Sequence, residues 1–275
     1  MSFQPILPLS GLAGWAFLNR TKERQEASFN ATPMIERDVA YFKEQFPRIQ
    51  SASELVENRR MLKVALGAFG LQDDLDNRAF IRQILEGGTE DRRALANRLA
   101  DKRYLAFATA FSFLAEPGLP AAGAELMEQV VTSYRSREFE IAVGEQDRSM
   151  RLALTLQREL PELADSYTTD QARWFAILGN PPLREVLETS LGFPKEFANL
   201  DIDTQLSRMQ AAARKRYGTS EVTELAQDGR LSALTERFLV MSQIAQSPVN
   251  TSSASVALLL LGGADPSPGG ALNLG

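Results

Sequence analysis

Apolar residues recur along most of this chain at the three- and four-residue spacing of a helix. Ile35, Val39, Phe42 and Phe46 form one stripe, opened by Thr32-Pro33 as a cap with proline at the first helical position and ended by Pro47. An earlier helix is predicted over residues 11–29, with Leu12, Trp15, Phe17 and Leu18 as its apolar part. Ser51 and Glu54 make a capping box for a helix that carries Leu55, Leu62, Ala65, Leu66 and Phe69 and stops at Gly70. A short helix with Phe80, Ile81, Ile84 and Leu85 inward closes at Gly87-Gly88, where Thr89 is placed to cap the next. Asp101 then opens a helix with Tyr104, Phe107, Phe111 and Leu114 on one face. The clearest break is "EPGLPAAG" over 116–123. Long helices are predicted over 124–143 and 146–163, with Pro161 ending the second. Thr168 with Gln171, and Asn180-Pro181, give two further helix starts. A last helix over 231–244 shows Leu231, Leu234, Phe238 and Met241. No run alternates β-branched with polar residues, so the expected fold class is all-α.

One phrase occurs twice. "LKVALGAFGLQDDLDN" begins at Leu62, and "REVLETSLGFPKEFAN" begins at Arg184. Aligning Gly70 with Gly192 brings Asn58 to Asn180, Val64 to Val186 and Asn77 to Asn199. "DKRYLAFATAF" from Asp101 and "DGRLSALTERF" from Asp228 follow in the same order after a short insertion. The expected architecture is a multi-helix array built from two divergent copies of a helical unit joined by long helices. The first unit is assigned to 1–116, the connecting long helices to 117–168, the second unit to 169–246 and a Ser/Gly/Pro-rich tail to 247–275. Coincidence is the alternative, since glycine is the usual helix stop.

The tail contains "VALLLL", with Val256, Leu258, Leu259, Leu260 and Leu261. On one reading this is a docking peptide, or a strand added to a partner; on the other it folds back on the chain's own core.

Charge and composition remove several function classes. The chain has 275 residues, 44% of them hydrophobic, and a net charge of −5, which argues against a nucleic-acid partner. It has no cysteine and no histidine, which excludes thiolate chemistry within the chain, serine–histidine catalysis and the commonest metal ligands. No basic residue precedes the first apolar stretch, and no apolar run approaches the ~20 residues of a membrane span, so a cytoplasmic protein is expected. Asp73, Asp74 and Asp76 invite a calcium loop, but Ala79 and Leu85 fall where glycine and glutamate are required. Capping of the following helices by Asp76 and Asp201 explains these turns better. No catalytic, cofactor or metal site is predicted. Arg103 and Arg230, each two residues after an aspartate, are the candidate contacts for a partner's carboxylate or phosphate, unless each is fixed within its own helix neighbourhood.

Taken in order, "GLAGWAFLNRT", "YFKEQF", "NRRMLKVALGAFGLQDD" and "LGFPKEFANLDIDTQ" resemble a domain-of-unknown-function family, number 1217. That family is found mostly in alphaproteobacteria, often in flagellar gene clusters. The resemblance implies a non-enzymatic, flagellum-associated structural, assembly or export-linked protein with a protein partner, a flagellar component among the candidates. It brings no catalytic residue. The alternative is a cytoplasmic chaperone or adaptor holding a partner's helix in a groove. An enzyme of carboxylate, lysine, serine or tyrosine chemistry is the third reading.

Overall fold

The helical periodicity becomes fourteen α-helices across residues 3–115 and 123–246, the part of the chain described by the computed structural model, with no strand among them. In chain order these are α1 (Gly11–Asn30), α2 (Pro33–Gln45), α3 (Ala52–Glu57), α4 (Arg59–Ala68), α5 (Arg78–Gly87), α6 (Leu95–Arg98) and α7 (Arg103–Ala110). Next come α8 (Ala124–Gly144) and α9 (Arg148–Ser166). The last are α10 (Asp170–Leu178), α11 (Pro181–Leu191), α12 (Ile202–Tyr217), α13 (Val222–Leu225) and α14 (Asp228–Gln246).

The long helices α8 and α9 pair antiparallel, and the rest is built on them. α4 lies along α8 and α11 along α9; α2 covers α4, and α14 covers both α11 and α9. The core between them is aromatic and aliphatic, with Trp174, Tyr134, Phe42, Phe107, Phe111, Phe139 and Phe238 fully buried.

The two written phrases share their helix starts and stops. Asn58 Oδ1 accepts the Met61 amide at 3.2 Å, and Asn180 Oδ1 accepts the Leu183 amide at 3.2 Å. Each thereby satisfies one of the orphan donors at a helix start, α4 in the first copy and α11 in the second. Both helices end alike. Gly70 N–H donates to Gly67 at 3.2 Å and Leu71 N–H to Leu66 at 2.9 Å; Gly192 N–H donates to Thr189 at 3.1 Å and Phe193 N–H to Glu188 at 2.9 Å. The glycines stand at φ +71° and +82°, where a Cβ would meet the following carbonyl. A four-residue helix, α6 or α13, precedes the last helix of each copy. The copies diverge in length: α12 and α14 have 16 and 19 residues against 10 and 8 in α5 and α7.

Several local expectations are corrected. The predicted helix from Ser51 to Phe69 is two helices, because Asn58 leaves helical dihedrals (φ −85°, ψ 89°) to cap α4. Pro161 does not end α9 but sits inside it. Its lost amide bond costs about 3 kcal/mol, which the burial of Leu160 and Ala164 and the ion pairs of Arg158 and Glu159 offset. Asp101 stands outside α7, its carboxylate accepting the Arg103 amide at 3.0 Å. Thr89 caps nothing; its carbonyl accepts from Asn97. Asp76 pairs with Arg59 instead of capping α5, whereas Asp201 does cap α12 through the Thr204 amide. Thr32 precedes Pro33 as expected but makes no side-chain cap bond, and Thr169, one residue after Thr168, caps α10. The tail residues Val256, Leu258, Leu259, Leu260 and Leu261 lie outside the described residues.

Candidate functional site

On the inner faces of α8 and α9 an apolar stripe is interrupted by charge. Val130, Tyr134, Arg137 and Ile141 follow one another at helical spacing, as do Leu152, Leu156, Glu159 and Leu163. Antiparallel pairing sets the two interruptions against each other, and Arg137 meets Glu159 at 2.6 Å. One turn away, Arg158 grips Glu140 with two bonds of 2.7 and 2.9 Å, and Thr155 donates to the same carboxylate at 2.9 Å. Arg158 also reaches Glu159 at 3.2 Å. Both glutamates are only 5% exposed, so each charge is out of water and its partners alone make that tolerable.

The cluster ties together both copies. Arg137 Nε donates to the Ala68 carbonyl at 2.8 Å, at the end of α4, where unpaired carbonyls and the helix dipole favour a cation. Asn180, having given its oxygen to the start of α11, donates its amide to Glu159 at 2.7 Å. Arg103 joins from the first copy: it holds Asp101 at 2.7 Å and the Gly70 carbonyl at 2.5 Å. A Cβ on Gly70 would stand 3.0 Å from Arg137 Nη1 and 3.4 Å from Arg103 Nη1, so the glycine stop is also what lets both guanidinium groups close in.

Burial alone would raise the Glu159 carboxyl, but Arg137 and Arg158 overcome it and hold the group at about 2. At Arg158 burial disfavours the charge, yet Glu140 and Glu159 push its pKa above the usual arginine range.

These directions fix a pH profile. Glu159 has a depressed folded pKa, so its contribution is complete above the unfolded value of 4.5 and is lost as pH falls toward 2; it amounts to about 3 kcal/mol. Glu26 and Glu138 are raised by burial, so they bind protons more tightly when folded, and stability grows as pH falls through their folded pKa values toward 4.5. Urea midpoints measured from pH 8 to pH 2 are expected to peak on the acid side of neutrality and then fall, with the acid limb flattened in Glu159→Gln. A midpoint that declines steadily from pH 8 downward would contradict this assignment.

Two cavities flank the cluster and share Arg103 and Arg137. The first, of about 230 Å³, has an apolar wall of Phe69, Leu163 and Leu183. Its single amine, Lys102, is engaged by the Asn97 and Leu99 carbonyls at 3.3 and 2.9 Å. The second, of about 220 Å³, is lined by Arg103, Arg137, Arg148 and Arg151 beside Asp73 and Glu185. Arg148 forms a two-bonded pair with Glu185, while Arg151 takes part in none of the ion pairs among the described residues. Arg103, Arg137 and Arg148 are already held by Asp101, Glu159 and Glu185, and Glu140 also lines the cleft, so Arg151 is the group there with the chemistry to receive a carboxylate or a phosphate.

Of the two arginines singled out from sequence, Arg103 lines both cavities. Arg230 does not line them: it stands 3.4 Å from Glu224 and 3.4 Å from the Tyr217 carbonyl, on the α12–α14 side. Arg137, Arg148, Arg151, Glu140 and Glu159 were not singled out. For Arg137 and Glu159 the signal was available, since each occupies a position that continues an apolar stripe.

A family model described as "Protein of unknown function (DUF1217)" matches residues 68–228, from the last turn of α4 to the first residue of α14. No curated protein matches the chain. The X-ray crystal structure of an Agrobacterium tumefaciens protein, solved as a structural-genomics target, superposes with a TM-score of 0.71 over 89% of this chain and 100% of that one. At 22% identity that likeness extends to the fold. No described helix is long and apolar enough to cross a membrane.

Proposed function

The chain belongs to the DUF1217 family, and from that membership we propose a non-enzymatic, flagellum-associated helical protein that acts in structure, assembly or export by binding another protein. The observation that carries the binding role is the arginine-lined cleft at the seam of the two copies. Its walls are fixed by buried ion pairs, so the surface is preorganised and little ordering is needed when a partner arrives. The partner's complementary feature is an acidic side chain or segment that reaches Arg151. The flagellar setting rests on the gene neighbourhood that the sequence resemblance implies.

Arg151→Gln removes a charge from the cleft lining without setting a second carboxylate beside the half-buried Glu138. In the bacterium that encodes this chain it is expected to reduce swimming in soft agar, with the protein present at its normal level on immunoblots. A deletion strain with normal flagella and normal swimming would overturn the flagellar reading. The apolar wall of Phe69, Leu163 and Leu183 favours a second reading, a chaperone or adaptor that holds a partner's helix. That reading predicts intact flagellar structure with one client protein lost or aggregated in the deletion strain.

A further inference from the structure

We propose that residues 256–261 of the C-terminal tail seat on the chain's own N-terminal segment, against Ile6, Leu9 and Leu12. This inference does not depend on the flagellar reading.

The N-terminal segment is a held surface. Gln25, itself only 5% exposed, brackets Ile6: its oxygen accepts the Ile6 amide at 2.6 Å and its nitrogen donates to the Ile6 carbonyl at 3.2 Å. Thr21 fixes the same nitrogen at 2.8 Å, and Gln146 donates to the Pro5 carbonyl at 2.6 Å. With the backbone pinned inward and Pro5 buried, the side chains of Ile6, Leu9 and Leu12 are left 56%, 58% and 40% exposed. They are three of the five large apolar side chains exposed among the described residues. No charged side chain precedes Arg20, so no charge within this stretch solvates the patch. Three exposed apolar side chains within seven residues of a pinned segment are the mark of a surface that something covers.

The described chain finishes beside that patch. Gln246 at the end of α14 donates to Ser149 at 3.1 Å, on the same α8–α9 corner whose Gln146 holds Pro5. Gln243 lies against Gly11, its oxygen 2.7 Å from where a Cβ would stand. Nine residues, 247–255, separate this point from Val256, and at about 3.3–3.6 Å each they reach roughly 30 Å. The tail also matches in character: between residues 247 and 275 it carries one charged side chain, Asp265, and its apolar content is concentrated in Val256, Leu258, Leu259, Leu260 and Leu261. The charge-poor N-terminal segment and the point from which the charge-poor tail departs therefore share one corner of the fold, and burying leucine against leucine there would remove apolar area from water on both sides.

The chain has no cysteine, so Leu9→Cys with Leu259→Cys introduces its only two thiols. Leu9 is exposed and Leu259 belongs to none of the described helices, so neither change removes a described core side chain. Oxidised in dilute solution, the full-length double variant is expected to close a disulfide within one chain, at a rate independent of protein concentration. The rate should exceed by at least tenfold that of the pair Ile202→Cys with Leu259→Cys, which uses an exposed apolar position on α12. Adding Leu258→Ser and Leu260→Ser should slow closure at Leu9 by tenfold or more. Equal rates with and without the serines would mean that mere proximity joins the thiols, and would overturn the proposal. So would a disulfide that forms only between chains and faster with concentration, which would assign the patch to a second copy.

Discussion

Replacing Glu159 with alanine is expected to cost about 3–5 kcal/mol, because it leaves Arg137 largely buried without its carboxylate, while Arg158 keeps Glu140. For a chain of this size that lowers Tm by roughly 2–4 °C per kcal/mol. Most of the loss comes from the groups left behind and not from the attraction removed. Glu159→Gln tests this. The amide keeps the volume and can still bond Arg137 through its oxygen, but it gives up the charge, so the loss should be smaller. A double-mutant cycle gives the sharper result: Arg137→Ala with Glu159→Ala should cost less than the two single changes added together, since the second removal relieves the charge stranded by the first. Additive losses, or a Glu159→Ala protein with unchanged Tm, would remove the cluster from its place as the tie between the copies.

Trp174→Ala is expected to be comparably damaging, by about 3–5 kcal/mol, for a different reason. Trp174 is fully buried in α10, and its indole N–H donates to the Ser220 carbonyl at 2.8 Å in the loop before α13. Alanine would leave a cavity and an unpaired carbonyl together. Trp174→Phe fills most of the space and loses only the bond, so about 1–2 kcal/mol is expected. The chain has two tryptophans, and the other, Trp15, is also buried, at 6% exposed. Urea unfolding followed by fluorescence in Trp174→Phe therefore reports on α1 alone. Its midpoint should coincide with that of far-ultraviolet circular dichroism if the array unfolds as one unit. Wild-type stability for Trp174→Ala would contradict the packing described here.

The helical fold was legible because burial is written in its period. Ile35, Val39, Phe42 and Phe46 are all buried. The repeat was legible because Asn58 and Asn180, and Gly70 and Gly192, keep one backbone chemistry while most side chains around them have changed. The break at Asn58 was hidden by the continuous stripe on either side of it. Pro161 misled because its local cost is outweighed by contacts made far away in sequence. The site was only partly legible. Arg103 stands in a phrase that recurs, but recurrence at Arg230 did not carry the same partners, since the carbonyl that Arg103 holds belongs to Gly70, and Arg230 holds that of Tyr217 instead. The pairing of Arg137 with Glu159 depends on how α8 folds back on α9, which local spacing does not encode.

Asn58 and Asn180 begin equivalent helices, yet their amide nitrogens face different neighbours. Asn58 donates to the Tyr41 hydroxyl at 3.0 Å, within its own copy, whereas Asn180 donates to the carboxylate that also holds the first copy through Arg137. The opening turn of α11 is thus wired to the centre of the molecule. Loosening it strips a bond from a dehydrated anion, and loosening the anion frees the turn. The start of α11 and the end of α4 thus depend on one shared carboxylate, so a change at either is felt at the other.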